Sequence, residues 1–88
     1  MQTQIVPVSV FPSSANVLMI RAGNLGPPPA YYYQLQNVAE DGTVVVLKDG
    51  NVSMTSEQWG EWPAGLGTDG DTEYQLTAIA ANLGLTRA

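Results

Sequence analysis

The first half of the chain alternates apolar and polar positions with the period of two that is typical of strands. A run rich in valine and isoleucine covers residues 4–11, and a second run covers residues 16–22 after a Pro-Ser-Ser turn. Because proline cannot donate to a ladder, Pro7 places the first strand at a sheet edge. Both faces of the second run are apolar, which indicates burial on both sides; they hold Val17, Met19 and Arg21, and Leu18 and Ile20.

Three prolines at residues 27–29 exclude helix and ladder and predict a stiff connector. The chain then alternates again, with two faces formed by Tyr31, Tyr33 and Leu35, and by Tyr32, Gln34 and Gln36. Asp41-Gly42 predicts a hairpin turn into a strand over residues 43–48. Asp49-Gly50 allows either a second tight hairpin, which gives a three-stranded meander, or a glycine bulge within one long strand. We predict the meander.

Two helices are predicted after this region. Thr55 and Gln58 have the spacing of a capping box, and Gly60 and Pro63 limit the helix they begin to about two turns. The second helix is predicted from Asp71 or Thr72 to about Leu83, with Thr72 and Gln75 as its capping box and a buried stripe of Leu76, Ile79 and Leu83.

The end of the second helix has its own signal. Gly84 fits the left-handed position after the last turn, and Leu85 is placed to fold back onto the helix. Together these patterns predict one small α+β domain. Its parts are an N-terminal β-hairpin or arm at residues 1–26, a Pro-rich connector at residues 27–30, and an antiparallel β-meander with a short helix and a C-terminal amphipathic helix at residues 31–88.

Charge is distributed unevenly along the chain. Arg21 is the only charged side chain in the first 39 residues, whereas all eight carboxylates lie from Glu40 onward. Only 12% of residues are charged, against roughly a quarter in an ordinary soluble domain. This neutral segment predicts a surface that other protein chains cover. The alternative is a neutral face on a small monomer, since monomers also expose apolar area.

Net charge narrows the possible partners. The chain carries −5 with three scattered cations, Arg21, Lys48 and Arg87, so neither nucleic-acid binding nor attraction to an anionic membrane is expected. The neutral segment lacks the ~18 consecutive apolar residues of a membrane span. No basic and apolar leader follows Met1, so a signal peptide is not expected.

Catalytic chemistry finds little support. The chain has no cysteine and no histidine, so it lacks a thiolate nucleophile and an imidazole base. Lys48 lies beside a turn signal, and Glu57 and Glu61 have the spacing of solvated charges on one helix face. We therefore expect neither an enzyme nor a cofactor.

One acidic cluster has the beginning of a calcium-loop spacing. Asp69, Asp71 and Glu73 occupy positions 1, 3 and 5, but Tyr74 and Ala80 stand where such a loop needs glycine and a bidentate glutamate. Helix capping explains Asp71 and Glu73 without a metal. The three carboxylates remain the only candidate calcium ligands.

Contact with other proteins is the remaining use for the neutral segment and its tyrosines. Tyrosine combines apolar area with a hydroxyl that tolerates water, which suits an interface. Trp59 and Trp62 lie one turn apart, and the same rings could instead stack on sugars. The predicted partner-contact residues are Ile5, Val8, Val10, Phe11, Val17, Met19, Tyr31 and Tyr32.

The last 40 residues resemble short accessory proteins of tailed bacteriophages. The resemblance lies in a hairpin at residues 50–54, a T-x-E-Q-aromatic helix start at residues 55–59, Trp62-Pro63, residues 71–74, and an A-A-x-L-G-L ending at residues 80–85. It implies a virion structural or assembly protein: a head decoration or cement protein, or a neck, tail or fibre component. It carries no catalytic residues.

This resemblance leads to a functional expectation. The chain would join other virion proteins or copies of itself in a symmetric particle, as a homo-oligomer or part of a larger complex assembled in the host cytoplasm. Two alternatives stay open. One is a small carbohydrate-binding module that uses exposed tyrosine and tryptophan, and the other is a cytoplasmic regulatory protein that binds a host protein.

Overall fold

The structure is a computed structural model, and it describes residues 1–10, 13–24 and 27–88. Four strands are followed by two helices, which confirms the predicted α+β class. The sheet is antiparallel with its strands in the order of the chain. Its elements are β1 (Gln2–Val10), β2 (Ser13–Asn24), β3 (Ala30–Val38), β4 (Val44–Ser53), α1 (Ser56–Glu61) and α2 (Gly67–Asn82).

The core lies between one face of the sheet and α2. Alternation in β2 and β3 was predicted correctly, because Leu18, Ile20 and the Tyr31–Tyr33–Leu35 side of β3 all belong to the buried cluster. Ile79 of α2 is fully buried against them. Each such side chain stabilises the fold by roughly 1.5–3 kcal/mol through burial.

The N-terminal segment forms the hairpin rather than a detached arm. β1 pairs with β2, and β2 in turn pairs with β3 from Val17 to Asn24. The pairing of β1 is interrupted between Gln4 and Val8, around the proline that predicted an edge strand. The segment is therefore half of the sheet and not a separate unit joined by the prolines.

The predicted second hairpin at Asp49-Gly50 is wrong, and β4 is one long strand. Its register shifts opposite Leu35 and Gln36, so Leu47 is the extra residue of a bulge. Gly50 lies within the ladder opposite Tyr33. A side chain there would lie 3.1 Å from the Tyr33 ring, so this glycine serves close packing and not a turn.

Helix α1 begins as predicted. The Thr55 hydroxyl accepts from the Gln58 amide at 3.1 Å, and the Gln58 side chain accepts from the Thr55 amide at 2.9 Å. This reciprocal pair is the complete capping box.

Helix α2 begins at Gly67, four or five residues before the predicted start. The predicted Thr72–Gln75 capping box does not form, because the Gln75 side chain has other partners. Its amide donates to the Asp71 carbonyl, and its oxygen accepts from the Tyr31 hydroxyl. The residue before the helix, Leu66, offers no side-chain cap.

The predicted end of α2 is confirmed. Gly84 has a φ of 72°, in the left-handed region. Its amide donates to the Ala81 carbonyl at 3.0 Å, and the Leu85 amide donates to the Ala80 carbonyl at 2.9 Å. These two bonds form a Schellman motif, which turns the chain back toward the sheet.

After this turn the C-terminal tail pairs with β1. The Val6 amide donates to the Thr86 carbonyl at 2.8 Å, and the Ala88 amide donates to the Gln4 carbonyl at 3.0 Å. Arg87 anchors the tail through an ion pair with Glu73 at 2.7 Å. The tail thus covers part of the outer edge of β1, which would otherwise be open to another strand.

Candidate functional site: the uncovered sheet surfaces

The sheet face opposite α2 is not part of the core, and we call it the open face. Register places two rows of side chains across all four strands on it: Gln2–Met19–Gln34–Asp49 and Gln4–Val17–Gln36–Val46. Val38 pairs with Val44, and Arg21 pairs with Tyr32, on the same face. Asp49 and Arg21 are the only charged side chains in these rows and pairs.

Hydrogen bonds order the polar side chains of the open face. Gln36 donates to Gln34 at 2.9 Å, Gln34 donates to the Tyr32 hydroxyl at 3.0 Å, and Tyr32 donates to Asp49 at 2.8 Å. The Arg21 guanidinium lies 5.3 Å from the centre of the Tyr32 ring. Both charges are therefore held at one end, and the middle of the face is neutral and preorganised.

A shallow groove of about 400 Å³ lies at the other end of the open face, lined by Gln4, Asn16, Val17, Val38, Ala39 and Glu40. The Asn16 side chain fixes its wall, because it donates to the Val38 carbonyl at 3.0 Å and accepts from the Val38 amide at 2.9 Å. Its lining is mainly apolar and amide, without the paired charges that a catalytic cleft uses.

The outer edge of β4 is the second uncovered surface. Among the residues that the structure describes, no strand pairs with this edge. Val44, Val45 and Val46 are 51%, 50% and 48% exposed, so three consecutive valines face solvent. We call residues 43–47 the β4 edge. The turn before it is fixed by Asp41, whose pKa is lowered because it accepts hydrogen bonds from Thr43.

An aromatic cluster forms a third surface, on α1 and the segment after it. Trp62 stacks on Tyr74 with ring centres 5.3 Å apart, and Trp59 meets Trp62 edge-on at 5.9 Å. The Trp62 indole nitrogen donates to Asp71 at 2.9 Å. Trp59 is 42% exposed, and an open depression of about 430 Å³ adjoins Trp59, Trp62 and Pro63.

The structure divides the predicted contact residues. Ile5 and Tyr31 are each only 2% exposed, and they lie in the chain's own core, so their prediction as contact residues is wrong. Tyr31 turns inward because β3 places it on the helix side, where its hydroxyl donates to Gln75 at 2.7 Å and burial raises its pKa.

The other predicted contact residues lie closer to the surface. Val17 and Met19 lie on the open face beside Tyr32, although Val17 is 8% exposed. Val8 and Val10 are half-buried and pack against the edge of the core. Phe11 lies outside the described residues.

The candidate calcium ligands do not converge. Asp71 accepts from Trp62, and Glu73 pairs with Arg87. Asp69 lies in the first turn of α2, so the three carboxylates follow a helix and not a metal-binding loop. No group of three or more acidic, histidine or cysteine side chains in the described ranges could hold a metal ion.

Sequence reasoning missed the β4 edge. In the predicted three-stranded meander, residues 43–48 formed the central strand, so both of its edges would have been paired. With β4 as one long strand it becomes the last strand of the sheet. The available signal was the run Val44-Val45-Val46, whose β-branched side chains favour a strand of either kind.

Comparisons with known proteins add no relative. No family model, curated protein or solved structure matches the chain. Within the described residues, every helix is too short or too polar to cross a membrane.

Proposed function

We propose that the chain is a structural or assembly protein of a bacteriophage particle, which acts through contacts with other virion proteins or with copies of itself. The open face carries this proposal. Its two cross-strand rows hold eight side chains, of which Asp49 alone is charged. Depletion of charge is the composition that distinguishes the buried centre of a protein–protein interface from ordinary surface.

The order of the open face supports the same role. The Gln36–Gln34–Tyr32–Asp49 chain of hydrogen bonds holds long side chains in place before any partner arrives. Immobilising such a side chain on binding costs roughly 0.5–1.5 kcal/mol, so a preordered surface associates more tightly. The resemblance of the last 40 residues to phage accessory proteins supplies the kind of assembly.

Variants that add a charge to the open face test this proposal. Gln4 is exposed in the row with Val17 and Gln36, and Gln4→Lys adds a cation there without changing the backbone bond to Ala88. Ala81→Lys is the matched control, because Ala81 is exposed on α2. We expect purified particles to exclude the Gln4→Lys chain and to retain the Ala81→Lys chain. Equal incorporation of both variants would contradict a contact through the open face.

The aromatic cluster favours carbohydrate binding as a second candidate function. The exposed Trp59 ring beside Trp62 and Pro63 offers an apolar surface on which a sugar could stack. The tyrosines cannot extend it, because Tyr31 and Tyr33 are buried. This function predicts that oligosaccharides quench tryptophan fluorescence and that Trp59→Ala removes the quenching. Titration of a panel of soluble glucans, chitin fragments and bacterial cell-wall fragments without quenching would exclude these ligands.

A further inference from the structure

The two edges of the sheet are treated differently by the fold. The C-terminal tail bonds to β1 through Val6 and Gln4, so this edge has a partner within the chain. The β4 edge has none among the described residues. Unpaired amides and carbonyls along a strand are completed most fully by another strand.

We propose that the β4 edge pairs with the β4 edge of a second copy of this chain, antiparallel and with Val45 on the two-fold axis. The proposal deepens the proposed function by naming one of the contacts between copies, and it rests on that function only for its biological use. The result is a continuous eight-stranded sheet with the helices of both copies on the same side.

The register follows from the pleat. Directly opposite residues in an antiparallel pair point to the same face, so the strand must meet its copy with equal parity. Centring on Val45 places Val44 opposite Val46 of the second copy, and both lie on the open face. All three half-exposed valines then meet valines, and the open faces of the two copies become one surface.

Charge favours the same alignment. Lys48 forms no ion pair within the described residues, where the one such contact joins Arg87 and Glu73. In the proposed register Lys48 lies opposite Gly42 of the second copy, next to the turn that carries Glu40 and Asp41. The two-fold axis repeats this contact, so two lysines approach two acidic turns. Centring on Lys48 instead would place two lysines opposite each other, which is destabilising.

The edge also carries features that limit it to one partner. Edge lysines and bulges are the usual protection against uncontrolled strand pairing. Here both occur immediately after the valines, at Leu47 and Lys48. They confine the flat, neutral part of the edge to residues 43–47, and closure by a two-fold axis leaves no valine edge for a third copy.

Disulfide trapping tests the register, since the chain has no cysteine of its own. Directly opposite residues have Cα atoms about 4.5 or 5.5 Å apart, which is within the range that a disulfide spans. Val45→Cys is therefore expected to form a covalent dimer of twice the 9.4 kDa chain under mild oxidation. Lys48→Cys is the matched control on the same strand, since its two copies would lie roughly 20 Å apart.

The outcomes are distinct. Efficient crosslinking of Val45→Cys together with its absence in Lys48→Cys supports the proposed pair. Crosslinking of Lys48→Cys alone, or of neither variant at concentrations where light scattering shows the wild-type mass, overturns it. Val45→Lys provides a second readout, because it adds like charges on the axis at a half-exposed position: we expect monomer mass with an unchanged circular dichroism spectrum. A dimer that persists in Val45→Lys would also overturn the pair.

Failure of this pair and failure of the proposed function give different results. If Val45→Cys does not crosslink but the chain is a component of particles, the edge pair is wrong and the virion role stands. If the covalent dimer forms but particles lack the chain, the edge pair stands and the virion role is wrong.

Discussion

Adjacent tyrosines of β3 lie in opposite environments, and this difference predicts opposite effects of the same substitution. The Tyr31 hydroxyl donates to Gln75 at 2.7 Å from a ring that is 2% exposed. Tyr31→Phe removes this bond and leaves the Gln75 oxygen without its donor, which costs roughly 1–2 kcal/mol. At about 4–8 °C per kcal/mol for a domain of this size, the melting temperature should fall by roughly 4–16 °C.

Tyr32→Phe is the matched control. The Tyr32 hydroxyl bonds to Asp49 in an exposed setting, so water can replace the lost group. We expect the free energy of unfolding to change by no more than about 0.5 kcal/mol. Thermal and urea unfolding of the three proteins, followed by circular dichroism at neutral pH, gives the comparison.

Alkaline pH provides an independent check on Tyr31. Burial raises its pKa in the folded protein above the value of 10.0 for an exposed tyrosine. Below that pH both states keep the proton. Above it the unfolded state ionises first, so the stabilisation from Tyr31 declines as pH rises. The stability difference between wild type and Tyr31→Phe should therefore shrink above about pH 10. Equal effects of the two substitutions at pH 7, or a difference that stays constant from pH 9 to 11, would refute the buried placement of Tyr31.

Three further substitutions test other parts of the fold. Gly84→Ala should lower the free energy of unfolding by about 1–2 kcal/mol, because φ is 72° there, and urea titration measures it. Arg87→Ala should cost about 1 kcal/mol, and the loss should be smaller in 1 M salt, which screens the exposed pair with Glu73. Trp62→Phe removes the bond to Asp71 and should cost about 1 kcal/mol in thermal unfolding. A change near zero at any of the three positions would contradict the corresponding contact.

Much of the fold was predictable because local rules determine it. The faces of β2 and β3 follow from side-chain alternation, and the ends of α1 and α2 at Thr55 and Gly84 follow from capping chemistry. These signals act within a few residues and need no knowledge of the rest of the chain.

The errors arose where distant partners decide. Asp49-Gly50 has the sequence of a turn, but the Tyr33 ring fills the space over Gly50 and keeps the strand straight. Gln75 was assigned to a local cap, but Tyr31, 44 residues away, binds it. The pairing of the C-terminal tail with β1 has no local signal either, because it depends on where α2 ends relative to the sheet.

The same reasoning explains what was found of the candidate site. Scarcity of charge pointed to the neutral half of the chain, and the open face lies there. It could not separate Tyr31 from Tyr32 as a contact residue, since both are neutral and aromatic. The β4 edge depended on strand order, which only the assembled sheet provides.

The central claim is that this chain works as a subunit of an assembled particle. Quantitative mass spectrometry of gradient-purified particles from infected host cells tests it most directly. The account predicts that the chain remains with the particles through high-salt washing, in a fixed copy number related to that of a major head or tail subunit. Recovery of the chain only in the particle-free fraction of the lysate would contradict it.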